Sequence, residues 1–465
     1  MSKKILTSPV ETAGWPKGIP YILGNEAAER FSFYGMKAIL VIYMTKFLHG
    51  LDGGLDTMTD EEAKSYYHLF TASAYFFPVI GAIVSDWLFG KYRTIIGLSL
   101  VYCLGHLVLA MGDTGFAVDL GIPPRMCLFA GLTLIAMGSG GIKPCVSAHV
   151  GDQFGKQNHH YLSKVFGWFY FVINLGAFLS TLVTPVLLEV AGPSVAFGLP
   201  GLLMFLATIV FWLGRREFVH IPAGGTSFLK ETFSKEGLLV LLRLSILYFF
   251  ISIFWSLFDQ TGSSWVLQAE KMDLRGIWGD WLASQIQALN PLLILLFIPL
   301  FDYVVYPAIH KVFPLTPLRK IAIGMFLMTV PFAICAYVQS LIDGGATPSI
   351  LWHVLAYIVL TAAEVMVSIT GLDFSYSQSP KRMKSIVMSF WLLSVSVGNF
   401  IAGGVNHFIA NADGTSKLEG PAYFWFFSGL MFVASVGFVI STFFYSGKTY
   451  IQGDDKDTGE ILKET

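Results

Sequence analysis

Charge is what this sequence has least of. Asp, Glu, Lys and Arg together make up 13% of its 465 residues, about half the share in soluble globular proteins. That deficit, with 54% apolar residues, excludes an ordinary soluble fold. The net charge of −1 excludes electrostatic capture of nucleic acid. Cysteine is scarce too. Cys103, Cys127, Cys145 and Cys335 lie in apolar segments at irregular spacing, so buried thiols are expected rather than disulfides or a metal set. No nucleophile elbow, nucleotide loop or metal-ligand cluster occurs, so neither an enzyme nor a cofactor is expected. Met1 to Pro9 holds no continuous apolar core before a small-residue cleavage site, so no cleaved signal peptide is expected.

What is present is a series of long apolar runs, which predicts an all-α polytopic membrane protein. Twelve spans are expected: 19–48, 65–89, 94–111, 125–149, 164–190, 194–214, 238–268, 282–309, 318–341, 350–376, 385–410 and 422–446. An even number puts both termini on one side. Lys3, Lys4, Lys91, Arg93, Lys156, Arg215, Arg216, Lys230, Lys320, Lys381 and Arg382 fall on that side, while Asp52, Asp56, Asp60, Glu61 and Glu62 crowd an opposite loop. The positive-inside rule makes both termini cytoplasmic, in a plasma (inner) membrane. Residues 214–237 form the longest central connection and divide the chain into six-helix bundles at 1–213 and 238–446, followed by a cytoplasmic tail at 447–465. Six plus six is the plan of major facilitator transporters, whose substrate sites lie near the bilayer midplane. The loop from Gly81 through Asp86 and Gly90 to Lys91 and Arg93 resembles that superfamily's loop motif.

Against this apolar background, the first span is conspicuous for Glu26, Glu29, Arg30 and Lys37. With Phe33 and Tyr34 they occupy an arc of roughly 140° on a helical wheel. Glu26 and Arg30 are spaced to pair within the helix. Ionisable groups inside a membrane span point to function by default, so this face is expected to line an aqueous cavity. Lys143 lies among Gly138, Gly140 and Gly141, and Glu364 is isolated in an equally apolar span.

Glu26-Ala-Ala-Glu29-Arg30-Phe31 resembles the ExxER(F) motif of the proton-dependent oligopeptide transporter family. Further segments resemble the family's signatures in order: Gly138 to Pro144, Phe169 to Gly176, Phe254 to Gln260, and Thr361 to Glu364. The resemblance implies a symporter that imports dipeptides and tripeptides with protons, functional as a monomer in the lipid bilayer. It implies that Lys143 and Glu364 form one gating ion pair and Lys37 and Asp259 the other. Many relatives have arginine at the place of Lys37, so a bidentate contact is lost there. Arg243 and Asp302 form a third candidate pair, structural or gating.

The resemblance to mammalian-type members makes His68 a proton-coupling residue, alongside Glu26, Glu29, Asp259 and Glu364. An unperturbed imidazole titrates near pH 6.5, which suits the task, and Asp259 is the expected neighbour. Five intramembrane acids (Glu26, Glu29, Asp259, Asp302, Glu364) stand against four bases (Arg30, Lys37, Lys143, Arg243). One proton balances the set.

For a peptide carboxylate the sequence offers Arg30 and Lys143, with Lys37 near them and the hydroxyls of Tyr34 and Tyr75. For the amino terminus it offers Glu364, Asn174 and Asn290. Trp255 and Trp391, with Phe258 and Phe33, are expected to form side-chain pockets of little selectivity. A second reading keeps the fold and transports nitrate or another small anion, which Glu364 would repel. A sensor or scaffold without flux fits poorly with short loops and no soluble domain. The 214–237 connection is too short for the two extra helices of many bacterial relatives, and the loop at Asp343 to Pro348 is too short for the outer domain of mammalian ones.

Overall fold

The computed structural model of the chain describes residues 6–445 except 10–11, 13, 156, 224, 226–233, 277–278, 379–383 and 412–415. The expected tail, part of the central connection, and Lys3, Lys4, Lys156, Lys230, Lys381 and Arg382 lie outside the described residues.

The helices in order are α1 (Ile19–Ile42), α2 (Asp60–Val84), α3 (Lys91–Met111), α4 (Pro124–Asp152), α5 (Leu162–Ala191), α6 (Pro193–Leu213) and α7 (Lys235–Phe258). They continue with α8 (Ala283–His310), α9 (Pro317–Asp343), α10 (Leu351–Ser375), α11 (Lys384–Ile409) and α12 (Pro421–Phe444). Eleven of these segments are long and apolar enough to cross a membrane. The exception is α1, which carries the charged residues singled out above. The fold is that of an all-α, multi-pass membrane protein.

Local chemistry explains the ends. Helix α2 begins before the apolar run because Thr59 and Glu62 form a reciprocal cap: Glu62 N donates to Thr59 Oγ1 at 3.3 Å and Thr59 N to Glu62 Oε2 at 3.1 Å. Asp60, Glu61 and Glu62 in the first turn complement the helix dipole. Proline opens α1, α4, α6, α9 and α12, where its missing N–H costs nothing. Gly192, at φ +81°, is the single residue between α5 and α6, a reversal that a side chain would strain. Within α10 a π-turn at Val365–Ile369 follows Glu364 directly, and within α8 another at Phe301–Val305 contains Asp302.

By contacts the chain divides into two units, residues 1–58 with 73–229 and residues 59–72 with 230–465. Helix α2 is thereby split: its first half packs with the second unit and the part from Ser73 with the first. In the first unit α3 packs on α4 and α6, and α1 on α5 and α6. In the second, α9 packs on α10 and α12, and α7 on α11 and α12. The same four neighbour relations recur six helices later, as an internal repeat demands.

Small residues make the closest approaches. A β-carbon on Gly105 of α3 would stand 2.8 Å from Ile135 N and 2.9 Å from Gly131 O of α4. These are backbone atoms and cannot rotate away. Gly105→Val is therefore expected to destabilise the first unit by about 1–3 kcal/mol through overpacking, read as a lower melting temperature in detergent. An unchanged value would show that the α3–α4 seam yields.

Candidate functional site

Helix α1 turns its charged face inward in the first unit. Arg30 Nε donates to Glu26 Oε1 at 2.7 Å, the expected pair, and lies 3.3 Å from Glu29 Oε2. Glu29 Oε1 accepts from Ser139 Oγ of α4 at 2.8 Å. Glu29 and Glu26 are 0% and 1% exposed, so their charge depends on that guanidinium. Tyr34 and Tyr75 lie near enough to Arg30 to interact electrostatically.

Lys143 completes the cluster from α4. Its ammonium stands 3.6 Å from the ring centroid of Phe33 and 4.4 Å from that of Tyr75. The residue is 8% exposed, and Nζ has no hydrogen-bond partner among the described residues. Aromatic faces attract a cation but accept none of its three N–H bonds. Glu26, Glu29, Arg30 and Lys37 are its electrostatic neighbours. The unit therefore gathers three cations against two carboxylates.

Glycines let the carriers of these groups meet. A β-carbon on Gly140 would stand 3.1 Å from both Ala74 O and Pro78 Cδ of α2, and one on Gly176 would stand 2.7 Å from Ala27 O of α1. The fourth- and fifth-helix signatures thus hold α4 and α5 against their neighbours. Asn174, buried on α5, donates Nδ2 to Tyr170 O at 3.0 Å.

The second unit carries a row of polar groups with the opposite charge. Asn290 of α8 donates Nδ2 to Glu364 Oε2 at 2.6 Å and to Thr361 Oγ1 at 3.2 Å. Asp259 lies near enough to Glu364 to interact electrostatically. Asn399 of α11 donates Nδ2 to Asp259 Oδ2 at 2.7 Å and to Val395 O at 3.0 Å. The Asn399 Oδ1 is left facing His68 Nδ1 at 2.8 Å, and His68 Nε2 faces Ser263 Oγ at 2.9 Å. Because Asn399 spends its N–H bonds on Asp259 and the backbone, Nδ1 of His68 must be the donor to Oδ1. Nε2 then faces a hydroxyl that can either donate or accept.

An aromatic wall adjoins this row. Trp255 and Trp391 lie 6.3 Å apart, Trp255 and Phe258 5.5 Å apart, and the buried Trp255 Nε1 has no hydrogen-bond partner among the described residues. Arg243, half-buried, and Asp302, exposed, are not joined in an ion pair among the described residues. The residues that sequence reasoning missed are Asn399, Ser139 and Ser263. Asn399 had a readable signal, an amide inside the apolar 385–410 run. Nothing in the sequence separates Ser139 or Ser263 from other small polar residues. The cysteines form no disulfide, and three of the four are buried.

The sequence pattern of the POT family matches residues 92–238 and 234–426. Solute carrier family 15 member 2 of Rattus norvegicus is 36% identical over 403 residues, covering 77% of this chain and 54% of that protein. Peptide transporter family 1 of Drosophila melanogaster is 38% identical over 372 residues, covering 71% of this chain and 49% of that protein. The chain thus spans about half the length of these curated relatives. Among solved structures, the in meso crystal structure of the POT family transporter PepTSo matches with a TM-score of 0.81 at 35% identity, covering 93% of this chain and 99% of that one. The crystal structure of an auto-inhibited POT family peptide transporter matches with a TM-score of 0.80 at 34% identity, covering 95% and 99%.

Proposed function

This chain belongs to the POT family, and from that premise we propose that it is a proton-coupled symporter importing dipeptides and tripeptides by alternating access. The observation that carries the reading is Lys143. A buried ammonium that meets two aromatic faces and, among the described residues, no hydrogen-bond acceptor suits a ligand carboxylate. Arg30 shares that carboxylate, with hydrogen bonds from Tyr34 and Tyr75 and added attraction from Lys37. The peptide ammonium goes to Glu364, oriented by Asn290, with Asn174 as a further amide. Trp255 and Trp391 receive side chains. An anion such as nitrate would suit Lys143, but it brings no ammonium for Glu364, whose negative charge would repel it.

The reading assigns Lys143 and Glu364 to one gating pair and Lys37 and Asp259 to the other. Arg243 and Asp302 stay outside the substrate site, as structural or gating groups. Proton coupling falls to His68, through Nε2, with Glu26, Glu29, Asp259 and Glu364 as the carboxylates whose balance it alters. Asn399 accepts from the imidazole and donates to Asp259, and so links the two groups.

Uptake of a labelled dipeptide into proteoliposomes, with and without an inward proton gradient, tests the proposal directly. Unlabelled dipeptide should compete and nitrate should not. His68→Ala is expected to lose gradient-driven accumulation while dipeptide exchange continues. Asn399→Ala should behave in the same way but keep part of the gradient response. Full gradient-driven uptake by His68→Ala would end the histidine's role, and competition by nitrate alone would end the peptide reading.

A further inference from the structure

We propose that Gly371, near the end of α10, sets how large a peptide side chain the site accepts, by providing the slot in which the Trp391 indole lies. The inference rests on the peptide-transport reading above.

Trp391 of α11 is 2% exposed, and its benzo edge lies directly over Gly371. A β-carbon at Gly371 would stand 2.6 Å from Cζ3 and 3.0 Å from Cζ2 of that ring, with Cη2 closer still. Real β-carbons do not come so near, so any residue other than glycine moves the indole. Tyr248 holds a second side of the slot, and Trp255 borders it toward the aromatic wall. Tyr248 meets Trp391 edge-on at 5.6 Å and Trp255 meets it edge-on at 6.3 Å. Tyr248 in turn is tied to the same turns of α10, since its hydroxyl donates to Ser375 Oγ at 2.6 Å and Ser375 Oγ donates to Gly371 O at 2.5 Å.

An indole turns as one plate on two torsions and cannot fold out of the way. With α10 beneath it and Tyr248 pinned beside it, the displaced ring swings toward Trp255 and Phe258, the wall assigned to peptide side chains. Seven residues of helix separate Gly371 from Glu364, about 10 Å along the axis. Two extended peptide residues reach about 7 Å, so a dipeptide whose ammonium meets Glu364 brings its second side chain to this region. Glycine at 371 thus keeps the indole back and the pocket wide. Gly371 is a positioning residue and acts through Trp391.

The test compares proteoliposome uptake of Ala-Ala and Ala-Phe. In Gly371→Ala the ratio of kcat/KM for Ala-Phe over Ala-Ala should fall on the order of tenfold, mainly through the KM of Ala-Phe. The double variant Gly371→Ala with Trp391→Phe shortens the intruding ring and should return the ratio to near that of the unaltered protein. An unchanged ratio in Gly371→Ala overturns the proposal, and so does a double variant that stays as narrow as the single one. Should Gly371→Ala alone fail to fold, the double variant must recover both folding and Ala-Phe uptake, and failure to do so also overturns it. Absence of any dipeptide uptake by the unaltered protein would instead refute the peptide-transport reading, a separate result.

Discussion

Lys143→Met is expected to lower dipeptide kcat/KM on the order of a hundredfold and at the same time raise the melting temperature of the detergent-solubilised protein. The two effects have one cause. The ammonium is 8% exposed, lacks a hydrogen-bond partner among the described residues and rests on the rings of Phe33 and Tyr75. Cation–π attraction offsets only part of the desolvation of a buried charge. Methionine fills similar space with a flexible apolar chain that suits the same rings. With peptide bound the sign reverses, because the ammonium gains a charge-assisted bond of about 1.5–3 kcal/mol, roughly ten- to a hundredfold or more in affinity. A destabilised group retained at a binding site is the usual trade of stability for activity. Thermal unfolding and uptake measured on one preparation decide the matter. Loss of transport with a lower melting temperature would make Lys143 structural, and retained transport would remove it from the site.

Arg30→Leu should be the most damaging single substitution in the first unit. Its Nε alone meets Glu26 at 2.7 Å and Glu29 at 3.3 Å, and both acids are buried. Removing the guanidinium strands two carboxylates, and breaking a buried ion pair from one side costs about 3–5 kcal/mol. The expected results are a large fall in folded yield and melting temperature, together with loss of dipeptide uptake. Adding Glu26→Gln and Glu29→Gln removes the stranded charges, so the triple variant should regain most of its melting temperature. It should not regain uptake, because nothing then replaces Arg30 at the peptide carboxylate. Recovery of stability without dipeptide exchange, in a triple variant compared with a Glu26→Gln, Glu29→Gln double variant that still exchanges, separates the structural role of Arg30 from its binding role. If Arg30→Leu keeps its melting temperature, the buried network contributes little.

Much of this was legible without coordinates, and the reasons differ by residue. The Glu26–Arg30 pair follows from helical spacing within α1 alone, and it forms where expected. Glu364 and Asn290 stand out as polar groups in apolar spans, and they meet at 2.6 Å within one unit. Thr59 and Glu62 hide the true start of α2, because a polar cap lies outside the apolar run on which span prediction depends. Opposite charge is the only basis for pairing Arg243 with Asp302, and charge alone does not say which helix faces meet.

The linear chain by itself determined the number and order of the helices and which few of them carry charge. The reason is local: a backbone in lipid must bond to itself, and an ionisable side chain there is costly whatever surrounds it. Only the tertiary structure decided that Asn399 stands between His68 and Asp259, that Lys143 rests on two aromatic rings, and that the first half of α2 packs with the second unit. Those facts depend on which helix faces meet, and a lone asparagine, phenylalanine or glycine has no periodicity from which its partner can be read.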